Sequence, residues 1–148
     1  FVKYCEVPEN VRVSLKLDGV RTWACRYGEN IRYVSRNGKD YCNFSVFTRE
    51  VKDLAEYIAK MCGEKDATHI IIDGEAIADD RDFDAFVGNA KKEVADTSKF
   101  TYHVFDFVCT TQPNLMLDTR LLILQSYFDA NSTKLKRLKR VEHTELAS

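Results

Sequence analysis

The sequence predicts an α+β fold of mainly antiparallel sheets with flanking helices. Three observations predict it. Short runs alternate apolar and polar residues with period two, and Gly, Asn and Asp turn signals divide them. Two longer runs repeat their apolar residues at helical spacing. The helical runs interleave with strands linked as hairpins, an order that favours antiparallel pairing.

The elements follow in order. Residues 11–17, VRVSLKL, alternate strictly and place Arg12, Ser14 and Lys16 on the polar face of a strand. After the Asp18-Gly19 turn signal, residues 21–27 form a second strand. Gly28-Glu29-Asn30 makes a hairpin turn into a third strand over 31–35, and Arg36-Asn37-Gly38 turns again. The first 41 residues therefore read as an antiparallel meander. From 47 to 62 the period changes, with apolar residues at 47, 51, 54, 55, 58 and 62. Thr48 suits the start of this helix and Gly63 stands just past its end. Residues 69–78 form an isoleucine-rich central strand, interrupted by Asp73-Gly74-Glu75. A short helix is expected over 83–90, and a strand of alternating aromatic and polar residues over 101–109. Asp118 caps a further helix through 128, and 141–143 begin a last strand. With no repeat, no linker and 148 residues, one domain is expected.

Composition excludes rather than identifies. Hydrophobic residues make up 45% and charged residues 30%, as in soluble globular proteins. No apolar run is long enough to span a bilayer, so no membrane partner is expected, and the start lacks a signal-peptide pattern. A formal net charge of −1 points to no anionic partner over the whole chain. Five cysteines, at 5, 25, 42, 62 and 109, form no CxxC pair and have no histidine cluster near them. They read as reduced core thiols of a cytosolic protein.

The stretch SLKLDGVRTW, residues 14–23, places a lysine, an aspartate and an arginine around a glycine within a strand pattern. A lysine amine is nucleophilic only when deprotonated, and desolvation or neighbouring cations favour that form. Arg21 and Arg36 could supply those cations and also bind phosphate in a bidentate manner. By itself the pattern equally describes a surface lysine beside a hairpin turn. Three later stretches add chemistry: VSRNGKDY (34–41), IIIDGEAIA (70–78) and YHVFDFV (102–108). Glu75 is a strand-end carboxylate or a ligand to a hydroxyl or metal. Phe105 is a core ring or a platform for a base.

Together these stretches resemble the adenylation domain of the covalent nucleotidyltransferases, which include ATP-dependent DNA ligases, RNA ligases and mRNA capping enzymes. Lys16-Leu17-Asp18-Gly19-Val20-Arg21 matches the KxDGxR motif, and Ser35-Arg36-Asn37-Gly38 the SRxG element carried by DNA ligases. Asp73-Gly74-Glu75 matches DGE, and Phe105-Asp106 the aromatic-bearing strand, all in family order over roughly 90 residues. The resemblance implies an ATP-grasp-like nucleotidyltransferase fold and a role for each position. Lys16 would attack the α-phosphate of ATP and form lysyl-AMP. Ser14 and Leu15 would line the nucleotide pocket, although many ligases carry Glu or Gln where Ser14 stands. Arg21 and Arg36 would contact ribose and phosphate, Glu75 a ribose hydroxyl or Mg²⁺, and Phe105 the adenine. Asp18 would shape the Lys16 turn and orient metal-bound water. The AMP would pass to the 5′-phosphate of nicked double-stranded DNA.

The resemblance further implies a monomer of compact viral or phage-like type, cytoplasmic, or in nucleoid or nucleus if cellular. Family members continue with EGxxxK-type and KxK-type motifs and an OB-fold domain, none of which follows here. Residues 1–148 are therefore expected to be a partial adenylation domain, weak or inactive alone. RNA ligase, capping enzyme, NAD-dependent ligase and a silent nucleotide- or nucleic-acid-binding module remain rival readings. The run KLKRLKR, residues 134–140, is either a DNA-backbone contact or a solvated loop.

Overall fold

Strand β1 covers Arg12–Val13, β2 Val20–Tyr27 and β3 Asn30–Val34; helix α1 covers Thr48–Met61. Then come β4, Ile70–Ala78, β5, Phe100–Cys109, helix α2, Leu117–Ala130, and strands β6, Leu138–Arg140, and β7, Thr144–Glu145. The structure, a computed structural model, describes residues 12–14, 16–78 and 99–145. The helix expected over 83–90 lies outside them.

Five strands form one sheet in the order β3-β2-β4-β5-β6, antiparallel except for the β5–β6 pair. The fold is thus α+β with a mostly antiparallel sheet, as the sequence predicts. The meander is corrected at its first strand. Of residues 11–17 only Arg12–Val13 are strand among those described, and they pair with β7 in a separate two-stranded sheet, not with β2. The DGE triplet does not interrupt its strand: β4 runs straight through, alternating buried with half-buried residues. The last strands also shift, since 141–143 are irregular and lie between β6 and β7.

Alternation decides which face is core. Thr22 and Ala24 of β2, Ile70, Ile72, Ala76 and Ala78 of β4, and Tyr102, Val104 and Phe107 of β5 are buried on one face. Helix α1 covers that face through Val51, Leu54, Ala55 and Ile58, as its 3.6-residue spacing requires. It begins without a side-chain cap; Thr48 instead uses its hydroxyl on Tyr33 Oη, 2.8 Å away. Gly63 ends it in the left-handed region, φ +76°. Helix α2 buries Ile123, Leu124, Tyr127 and Phe128 and begins at Leu117, so Asp118 sits in its first turn rather than capping it. The Tyr127 hydroxyl donates to Asp53 of α1 at 2.6 Å. Tyr102, fully buried, stacks on Phe47 and donates its hydroxyl to the Thr22 and Ile72 carbonyls. Burial raises its pKa well above the usual tyrosine value.

Glu50, on α1, is buried, and its carboxylate accepts backbone N–H bonds from Lys136, Arg137 and Leu138 at 2.9–3.3 Å. That clamp delivers the cationic run into β6, so its second half is sheet rather than a solvated loop. Among the described residues, Cys25, Cys42, Cys62 and Cys109 are free, and no helix is long and apolar enough to cross a membrane.

Candidate functional site

The opposite face of the same sheet gathers the charged motif residues. Direct pairing places Arg21 beside Glu75 and Trp23 beside Asp73, so all four share the face that Thr22 and Ala24 leave. The Arg21 guanidinium grips Asp73 with two parallel bonds, 2.6 and 2.5 Å. Its central carbon lies 5.5 Å from the Trp23 ring centre and 5.4 Å from that of Phe105. Both are within cation–π range, worth about 0.5–1 kcal/mol each where partly exposed.

Phe105 reaches this face because β5 carries a bulge. Asp73 pairs with Asp106 but Gly74 pairs with Val104, leaving Phe105 as the extra residue. The alternation slips by one there, and Phe105 and Asp106 are both half-buried on the open face. His143 Nε2 donates to the Phe105 carbonyl at 3.0 Å, giving the bulge residue's carbonyl a partner. Asp106 takes a two-bond grip from Arg120 of α2, 2.8 and 3.0 Å.

The Asp18-Gly19 bend lies directly on β4. The Gly19 N–H donates to Glu75 Oε2 at 3.2 Å. A Cβ on Gly19 would stand 2.2 Å from the Ala76 carbonyl oxygen, so only glycine permits this approach. Gly74 is held likewise, 2.5 Å from the His103 carbonyl by the same measure. Burial raises the Glu75 pKa above the ordinary carboxylate range. The Gly19 N–H, Arg21 and Arg36 oppose that shift and Asp18 adds to it, so all these groups act at one carboxylate.

The structure thus brings Asp18, Arg21, Arg36, Glu75 and Phe105 together. Arg36 is exposed in a tight turn, with the Ser35 N–H donating to the Lys39 carbonyl and the Gly38 N–H to the Ser35 carbonyl. Ser14 and Lys16 are exposed, and Leu15 lies outside the described residues. Lys16 is not on a strand, contrary to the sequence reading, and makes no ion pair among the described residues. It is three residues from Gly19, so chain length keeps the two Cα atoms within about 11 Å. Arg21 is not a free cation beside the bend, because Asp73 takes up its charge. Sequence reasoning named Asp73 only as part of the DGE acidic pair, not as the partner of Arg21, and missed Trp23; their signal was parity, since 73 and 75, like 21 and 23, fall on one side of a strand.

An aromatic ring, two guanidinium groups and a buried-edge carboxylate suit an adenine nucleotide. Among the described residues no group of three His, Cys, Asp or Glu could hold a metal alone. Asp18 and Glu75 are near enough to influence each other electrostatically at the bend.

The sequence pattern of the ATP dependent DNA ligase domain matches residues 3–148. The chain belongs to the ATP-dependent DNA ligase domain family. No curated protein sequence matches this ligase domain. Solved structures share its fold at low identity. One titled Pmar-Lig_Pre. aligns at TM-score 0.70 and 22% identity, over 91% of this chain and 31% of that one. Chlorella virus DNA ligase-adenylate aligns at 0.60 and 20%, over 91% and 44%. The ATP-dependent DNA ligase from bacteriophage T7, in complex with ATP, aligns at 0.59 and 17%, over 93% and 49%. The chain therefore spans between 31% and 49% of the length of these proteins.

Proposed function

We propose that this chain carries the nucleotidyl-transfer half of an ATP-dependent DNA ligase, with Lys16 as the nucleophile. In this reading the unprotonated Lys16 amine attacks the α-phosphorus of ATP. A P–N bond forms, the bond to the bridging oxygen breaks, and pyrophosphate leaves. An oxygen of a nick's 5′-phosphate then attacks the same phosphorus, breaking P–N and returning the amine. The 3′-hydroxyl finally closes the phosphodiester and expels AMP. Phe105 carries the adenine, Arg21 and Arg36 contact ribose and phosphate, and Glu75 holds a ribose hydroxyl. Ser14 and Leu15 border the base. Mg²⁺, held by Glu75 and Asp18, would neutralise the departing pyrophosphate. Positioning and electrostatics supply most of the catalysis in such transfers.

One observation carries the reading. Motif residues more than 80 positions apart in sequence, Arg21, Glu75 and Phe105, share a single sheet face, and Asp18 on the adjoining bend acts on the same half-buried carboxylate. The test is intact mass after incubation with ATP and Mg²⁺. A gain of one adenylyl group, absent with EDTA and absent in Lys16→Ala, supports it. ATP binding without mass gain supports a silent nucleotide-binding module instead. Sealing of nicked RNA in preference to nicked DNA by the adenylated protein would favour an RNA ligase, and a structural relative is titled as a Naegleria gruberi RNA ligase mutant with AMP and Mn.

A further inference from the structure

Phe105 is not alone on the open face of the sheet. Trp23, the sole tryptophan of the chain, lies there too. Its neighbours along β2, Thr22 and Ala24, are buried on the core face, so its own side chain takes the other side, where it is half-buried. Neither Trp23 nor Phe105 belongs to the hydrophobic core or packs against it. A large ring that adds nothing to the core needs another use, and the proposed function gives one to Phe105 only.

Trp23 bears on Arg21, whose central guanidinium carbon lies 5.5 Å from the indole ring centre. Asp73, directly paired with Trp23, takes Arg21 Nε at 2.6 Å and Nη2 at 2.5 Å. The third nitrogen, Nη1, makes no hydrogen bond among the described residues. The donors left for a ligand therefore sit on one nitrogen of a flat, rigid group, and where that nitrogen points decides what it can hold. Asp73 alone does not fix the direction. The last torsion of an aspartate is broad, so the carboxylate can turn and carry the guanidinium with it. A ring beside the guanidinium limits that swing. Phe105, at 5.4 Å, also bears the adenine in the proposed function, so Trp23 is the ring given to Arg21 alone.

We propose that Trp23 is a positioning residue of the nucleotide site: its ring holds Arg21 so that Nη1 meets the ribose and phosphate of ATP. This rests on the ATP-binding part of the proposed function but not on the chemistry of Lys16, because the readout is equilibrium binding. Isothermal titration calorimetry with ATP and Mg²⁺ compares the parent chain with Trp23→Ala, Trp23→Phe, Arg21→Ala and the double variant. Losing one partly exposed cation–π contact lowers the population of the held conformer by about 2- to 5-fold, and the apparent affinity falls with it. Trp23→Ala should weaken ATP binding by that factor. Trp23→Phe should recover at least half of the loss, since a phenyl face also attracts a cation, though less than indole does. In the Arg21→Ala background, Trp23→Ala should cost nothing further, an outcome that a purely structural role for the ring would not produce. Parental affinity in a Trp23→Ala variant with matching thermal unfolding overturns the proposal. So does an equal loss in the Arg21→Ala background. Both results leave the nucleotide site standing, because the parent still binds ATP; a parent chain that binds no ATP overturns the proposed function and the role of Trp23 together.

Discussion

Glu50 offers the sharpest stability test. Its Oε1 accepts from Arg137 and Leu138, both at 2.9 Å, and more weakly from Lys136 at 3.3 Å; its Oε2 accepts from Lys136 at 3.0 Å. Hydrogen bonds to a charged group contribute about 1.5–3 kcal/mol each, and a buried donor left without a partner costs about 1–3 kcal/mol. Glu50→Ala removes the acceptor from three donors. The Leu138 amide is buried, whereas water can reach those of Lys136 and Arg137, so the expected loss is about 3–5 kcal/mol. That is a large share of the roughly 5–15 kcal/mol that holds a domain folded. Glu50→Gln keeps one oxygen for the Oε1 bonds but turns an amide N–H₂ toward the Lys136 N–H, costing about 1–2 kcal/mol. Urea unfolding followed by circular dichroism reads both. The expected order of midpoints is parent, Gln, Ala. A Glu50→Ala midpoint within about 1 kcal/mol of the parent at equal slope would show that the clamp carries no weight.

Phe105→Ala should weaken ATP binding in equilibrium dialysis by roughly 5- to 150-fold, the range for one lost base stack; unchanged affinity removes Phe105 from the adenine site. Gly19→Ala forces the bend off the Ala76 carbonyl and detaches Glu75. It should slow adenylyl gain about 100-fold, as ångström-scale misplacement does; a folded variant labelling at the parent rate rejects the close-approach argument. Two carboxylates should respond oppositely to pH. Burial raises the Glu75 pKa, so its ionisation opposes folding above the ordinary carboxylate range. Glu75→Gln should therefore raise the urea midpoint at pH 7, with the gain shrinking as pH falls. Hydrogen bonds from Thr111, then Cys109 and Gln112, lower the Glu64 pKa. Its stabilising effect is present above the unfolded value and lost as pH falls, so Glu64→Gln should lower the midpoint at pH 7 and match the parent in acid. Midpoints that fail to diverge in opposite directions would contradict these assignments.

Much of the fold was legible because local signals were strong. The Gly28 turn, at φ +61°, and the regular alternation on either side of it specify β2 and β3 within one residue of the expected bounds. Helix α1 shows its apolar stripe plainly. What was not legible depends on distant pairing. Arg12–Val13 finds its partner more than 130 residues away in β7, and no window along the chain contains that information. Strand β6 is short and cationic, and its course is set by distant partners: Glu50, 86 residues before Lys136, and the edge of β5. At the site, the motif residues were legible as types in order. That Arg21 would be spent on Asp73, and that Lys16 would stand outside a strand, required the register and the bend.

The surplus residue in β5 separates two requirements that most strands must satisfy with the same side chains. Remove Phe105 and the ladder on either side closes without a break: Val104 still points inward, Asp106 outward and Phe107 inward. The scaffold does not need the ring; only the open face does. Such a one-residue deletion would leave a more regular sheet and a surface without its aromatic floor, a direct exchange of chemical competence for architectural order.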